Sequence, residues 1–175
     1  MRLLALDPGI PDCGAALFEG GLLRRCAHCR VPAGPRPQQL VALLDLVEAE
    51  MDVDQLRPPN VVVVEWPRIY RPERAVKGRP YTDANPMLWL AAVAGAMLDR
   101  AAAWGAELVA VTAPEWKKQT RKGAHQALMV HAFTAEEKAL IPKMPRAGRY
   151  ESDALDAALL GRWYVHAQKL RGASC

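Results

Sequence analysis

Four carboxylates stand where an acid has a purpose beyond solubility. Asp7 ends the apolar run LLALD and is followed at once by Pro8 and Gly9, with Gly14 a few residues on. Glu65 ends the β-branched run VVVVE. Asp153 and Asp156 lie three residues apart in SDALDAALLG, a helical stretch, and therefore share a face. If the strands that end in Asp7 and Glu65 are parallel neighbours, both acids reach one edge of a sheet. A helix that lays its first turn over that edge adds the other two. Like charges that close repel, so the cluster requires cations or strongly raised pKa values. Hard divalent ions with oxygen ligands meet that need, and Mg²⁺ fits best. Two such ions about 4 Å apart clamp the attacking and leaving oxygens of a phosphodiester displacement.

Each acid taken singly has a plainer explanation. Asp before Pro-Gly is a common turn former. Asp153 and Asp156 complement the dipole at a helix start. Glu65 has less of an alternative, because a carboxylate closing VVVV lies close to burial and needs partners. The conjunction of all four carries the metal-site reading.

Two basic runs follow these strands. Arg68, Arg71, Arg74, Lys77 and Arg79 interleave with Tyr70 and Tyr81, directly after Glu65. Arginine with aromatic rings is a mixture suited to phosphate contact and base stacking. Lys117, Lys118, Arg121 and Lys122 form the second run, at the end of a later strand, where they read as a phosphate clamp. A charge run is often only a solvated face, and nearness to the acids is what raises these two above that.

The elements that must place these residues can be read from the pattern. A short strand over 2–7 precedes two strands that turn at Glu19-Gly20-Gly21, a hairpin signal. GPRP reads as a breaker, and the helix after it sets Leu40, Leu43, Leu44 and Val47 on one face. VVVVE reads as a central strand buried on both faces. NPMLWLAAVAGAMLDRAAAWG is a helix, with Asn85 and Pro86 suited to its start and Gly105 to its stop. ELVAVT is a strand and APEWKKQTRKG a basic connection. AHQALMVHAF reads as a short helix, and TAEEKAL opens with a capping box from Thr134 to Glu137. The last helix starts at Ser152. This order predicts an α/β domain over 1–175: a mixed five-stranded sheet, with a three-strand antiparallel meander plus parallel strands, and helices on both faces.

Composition sets outer bounds. The chain has 175 residues, with 23 Lys plus Arg against 19 Asp plus Glu, a mild bias towards an anionic partner. No apolar run is long enough to span a bilayer. MRLLALDPG is too soon broken to read as a signal peptide, so a cytoplasmic protein is expected. Cys26 and Cys29 form a C-x-x-C without a second ligand pair, and on a strand they point to opposite faces. They read as buried thiols.

LDPG with Gly14 behind it, VVVVEWP and SDALDAALLG resemble, in order and spacing, the RuvC-type Holliday-junction resolvases of the ribonuclease H-like superfamily. VTAPEWKKQ and the helix from Asn85 to Gly105 match as well. The long loop and APEWKK look closest to the small bacteriophage members, which would act in a host cytoplasm. The resemblance implies a homodimer that nicks four-way DNA junctions in pairs, using two Mg²⁺ ions per site, or Mn²⁺ in their place. It places catalysis and metal binding on Asp7, Glu65, Asp153 and Asp156. The aromatic that the family wedges into the junction has no unique counterpart; Tyr70 is the first choice and Trp66 the second. Competing functions are a nuclease for general branched DNA or RNA–DNA hybrids, a junction-binding module without turnover, and an actin-like ATPase. The chain is too short for the two lobes of the last.

Overall fold

The computed structural model describes residues 1–67, 85–117, 126, 130–144 and 150–172. Five strands form one sheet: β1 (Arg2–Asp7), β2 (Asp12–Glu19), β3 (Leu22–Arg30), β4 (Val61–Trp66) and β5 (Glu107–Thr112). Their spatial order is β3-β2-β1-β4-β5. β1 to β3 form the antiparallel meander, and β4 and β5 continue it in parallel from β1. Gly20 and Gly21 link β2 to β3 with φ of 61° and 85°, which a side chain resists and a two-residue hairpin turn requires.

β1 and β4 lie in the middle, and their residues alternate between two cores. Leu3, Ala5, Val61 and Val63 enter one; Leu4, Leu6, Val62 and Val64 enter the other. Strands buried on both faces need apolar residues at every position, which explains the unbroken LLAL and VVVV runs. The second core lies under α1 (Arg36–Met51) and α2 (Asn85–Ala103), through Leu43, Val47, Val93 and Met97. The first lies under three further helices: α3 (Ala113–Lys117), α4 (Ala135–Leu140) and α5 (Ser152–Gly172). α5 dominates that face, contributing Leu155, Leu159, Leu160 and Val165.

Two local expectations change. GPRP does not precede α1 as a breaker: the helix begins at Arg36 and holds Pro37 in its first turn, where the missing N–H costs nothing. APEWK is not a plain connection but α3. Its start carries a signal that lysine-rich surroundings obscure, T-x-x-E from Thr112 to Glu115. The Glu115 carboxylate accepts from the Thr112 backbone N–H at 2.5 Å and from its hydroxyl at 2.7 Å. The capping box of α4 forms as expected, with Glu137 N–H donating to Thr134 Oγ1 at 3.2 Å.

Cys26 packs against the α5 core and Cys29 against the α1 and α2 core, so the two thiols do lie on opposite faces. Burial pushes both up to about 12, which keeps them protonated and unreactive.

Candidate active site

Parity aims the two strand-end acids. Leu3 and Ala5 face α5, and so does Asp7, two residues further along β1. Val61 and Val63 do the same for Glu65 on β4. Leu6 pairs with Val64, so one more step of that register sets Asp7 beside Glu65. Asp7 also pairs with Gly14 on β2, and Gly14 with His28 on β3. One row across the sheet therefore reads His28, Gly14, Asp7, Glu65.

Gly14 lets α5 onto that row. A Cβ there would lie 1.9 Å from the Asp153 carbonyl oxygen, so any side chain would lift the helix from the sheet. With glycine the first turn of α5 rests on β2. Asp153 then stands over the row, half exposed, and Asp156 points inwards with 1% exposure.

Buried carboxylates need partners, and α3 supplies them. Lys117 Nζ lies 3.0 Å from Glu65 Oε2 and 3.1 Å from Asp156 Oδ2. Trp116, itself buried, donates its indole N–H to Glu65 Oε2 at 3.0 Å. Gln126 donates to Asp156 Oδ1 at 2.7 Å. Burial disfavours the Lys117 ammonium. Asp156, Glu65 and Asp7 outweigh it and hold the lysine above its ordinary value, so it stays charged. On β3, His28 Nε2 lies 3.4 Å from Asp12 Oδ1 and 3.9 Å from Asp153 Oδ2. An open cleft of about 450 Å³ adjoins Asp7 and Asp153, and Arg36 and Trp89 stand on its far side. The Arg36 guanidinium lies 5.4 Å from the Trp89 ring centre.

All four acids singled out in the sequence therefore come to one end of the sheet. Among the described residues, no three His, Cys, Asp or Glu side chains are drawn together closely enough to hold an ion. Yet the donors are carboxylate oxygens only, and three of the acids already draw one cation between them. That donor set fits a hard divalent ion. Lys117 is not a free clamp but lies among the acids. Arg68, Tyr70, Arg71, Arg74, Lys77, Arg79, Lys118, Arg121 and Lys122 lie outside the described residues. Trp66 closes β4 half-buried, packed against the core beneath α2. Three contributors to the site escaped the sequence reading. Trp116 could have been found from the T-x-x-E start of α3, whereas His28 joins the site through its register with Gly14, which the sequence does not show. Gln126 carries no comparable signal.

A mixed five-stranded sheet in this order, with acids at the ends of its first and fourth strands and on its last helix, is a ribonuclease H-like α/β fold. Within that class the chain is similar to RuvC proteins over nearly its whole length. It is 28% identical over 165 residues to the crossover junction endodeoxyribonuclease RuvC of Parafrankia sp. (strain EAN1pec), covering 93% of this chain and 86% of that one. A RuvC of the same description from Mycolicibacterium vanbaalenii is 30% identical over 98 residues, 53% of this chain and 48% of the relative. T. thermophilus RuvC in complex with a Holliday junction substrate superposes with a TM-score of 0.63 at 17% identity, over 97% of this chain and 96% of that one. The yeast mitochondrial Holliday junction resolvase gives 0.62 at 13% identity, over 96% and 79%. These two structural likenesses establish the fold. No family model matches the chain.

Proposed function

We propose that this chain is a metal-dependent, structure-selective DNA endonuclease that resolves four-way junctions by paired phosphodiester hydrolysis. The observation that carries this reading is the convergence of Glu65 and Asp156 on one ammonium, with Asp7 beside Glu65 at the sheet edge and Asp153 over that row, in a RuvC-like chain. Asp7, Glu65, Asp153 and Asp156 are the metal-holding residues. They would hold two Mg²⁺ or Mn²⁺ ions, whose chemistry there would be to activate water and offset charge on the phosphate.

The residues around them have separate tasks. Trp116 fixes the Glu65 carboxylate by its hydrogen bond, and Gln126 fixes that of Asp156. Lys117 offsets the acid charge and keeps a positive centre beside the scissile phosphate. Arg36 and Trp89, across the cleft, pair a cation with an aromatic surface, as strand binding requires. Arg68, Tyr70, Arg71, Arg74, Lys77 and Arg79 contact the junction arms, as do Lys118, Arg121 and Lys122. Tyr70 is the preferred wedge, because Trp66 is engaged in the core.

Paired nicks require two active sites, and a homodimer through α2 supplies them. Leu88 on that helix is 63% exposed, and a Cβ at Gly95 would meet nothing within 4 Å, so this flank is open to a second copy. No helix among the described residues is long and apolar enough to cross a membrane. The site of action is branched DNA in the cytoplasm.

The test is a labelled four-way junction incubated with the protein, with and without Mg²⁺, beside an RNA–DNA hybrid. Symmetric nicks on the junction alone, dependent on Mg²⁺, are expected. Equal cleavage of the hybrid would replace junction selectivity with a general nuclease. Binding without cleavage in Mg²⁺ and in Mn²⁺ would make the chain a junction-binding module.

A further inference from the structure

His28 lies outside every role assigned above, yet the sheet carries it to the acids. Cys26, two residues earlier on β3, packs beneath α5, with its Sγ 3.3 Å from the Ala154 carbonyl oxygen. Side chains two apart on a strand share a face, so His28 also faces α5. Its partner across the ladder is Gly14, which has no side chain. Gly14 lets the first turn of α5 settle over β2, which brings the Asp153 side chain to the imidazole. Its Nε2 lies 3.4 Å from Asp12 Oδ1 and 3.9 Å from Asp153 Oδ2. Arg30 Nε lies 3.4 Å from the same Asp12 oxygen, at ion-pair distance without hydrogen-bond geometry.

Asp153 is the acid of the four that His28 reaches. Asp156 is buried, and Glu65 is held by Trp116 and Lys117. The Asp153 side chain is 35% exposed, on the first turn of a helix, and its carboxylate has rotamers to lose when an ion binds.

We propose that His28 is a positioning residue for Asp153: anchored by Asp12, it holds the Asp153 carboxylate towards the Asp7–Glu65 edge and so strengthens divalent-ion binding. The inference rests on the metal-site reading of Asp153. Outer partners that orient a ligand typically contribute 10–100-fold in metal affinity.

The experiment measures Mn²⁺ affinity of the full chain by calorimetry, and the electron paramagnetic resonance line shape of the bound ion. It uses wild type, His28→Ala, His28→Gln, His28→Asn and Asp153→Asn, each melted without metal as a check on folding. His28→Ala is expected to weaken Mn²⁺ binding about 10–100-fold and to alter the line shape, with little change in the metal-free melt. Gln keeps an N–H donor at similar reach and should recover much of the loss. Asn keeps polarity without the reach and should not. If His28→Ala does not fold, the contrast between Gln and Asn decides. Wild-type affinity in both His28→Ala and His28→Asn, with Asp153→Asn weakened, would overturn the role of His28 and leave the metal site standing. Wild-type affinity in Asp153→Asn would remove the metal-site reading and this inference with it.

Discussion

Two charged side chains are buried among the described residues, and they are buried for opposite reasons. Glu137, on α4, is 4% exposed, and Asp156, on α5, is 1% exposed. Glu137 is held by three donors. It accepts from the Leu23 backbone N–H at 2.7 Å, from the Thr134 N–H at 3.0 Å and from the Arg162 guanidinium. Arg162 in turn lies over the Phe18 and Phe133 rings and donates to the Gly21 carbonyl at 2.9 Å. That network ties the β2–β3 turn to α4 and α5. Asp156 has donors too, but it shares Lys117 with Glu65 and stands near Asp7 and Asp153. A buried acid among donors fastens a fold. A buried acid among other acids keeps charge unmatched for a ligand to use.

The comparison breaks most sharply at Asp156. Asp156→Asn should reduce Mg²⁺-dependent junction cleavage by more than the roughly 100-fold that losing an outer partner of a ligand can cost. Its metal-free melting temperature should change little, because Lys117 keeps Glu65 and Asp7. Single-turnover cleavage and thermal melts check both halves; a collapsed melt would make Asp156 a structural acid like Glu137.

Glu137→Gln should do the reverse. It leaves the Arg162 guanidinium without its carboxylate, at a cost of about 3 kcal/mol. For a chain of this size that lowers Tm by roughly 6–12 °C. Cleavage by the folded fraction should match wild type, and an unchanged Tm would refute the fastening role.

The smallest effect is in acid. Burial alone would raise the Glu137 carboxyl; the hydrogen bonds from Thr134 and Leu23, with Arg162, outweigh it and hold it below its ordinary value. A carboxylate so depressed contributes stability that is full above the unfolded-state value of about 4.3 and is lost as pH falls through the lower folded value. Urea titrations below pH 4.3 should therefore show a shallower loss of stability with acid in Glu137→Gln than in wild type. Parallel curves would mean that Glu137 titrates alike in both states.

Most of the acid site was legible because strands and helices have fixed periods. Alternation aims Asp7 and Glu65, and an i, i+3 spacing aims Asp153 and Asp156. Charge has no such period. Nothing in WKK tells that Lys117 turns inwards; it does so from the end of α3, the helix that follows Thr112. Cross-strand neighbours were equally hidden. His28 meets Asp153 through a register between β2 and β3, and that register shifts between Leu17 and Phe18 at an irregularity that alternation cannot locate.

Gly14 has a consequence for the order in which the chain is made. Asp7 and Glu65 leave the ribosome well before Asp153 and Asp156, which arrive with α5. That helix seats on β2 at Gly14 and, in the same movement, closes one of the two cores. Until then the sheet lacks both a roof and half of its carboxylates. In a growing chain the four acids thus come together only when the core does.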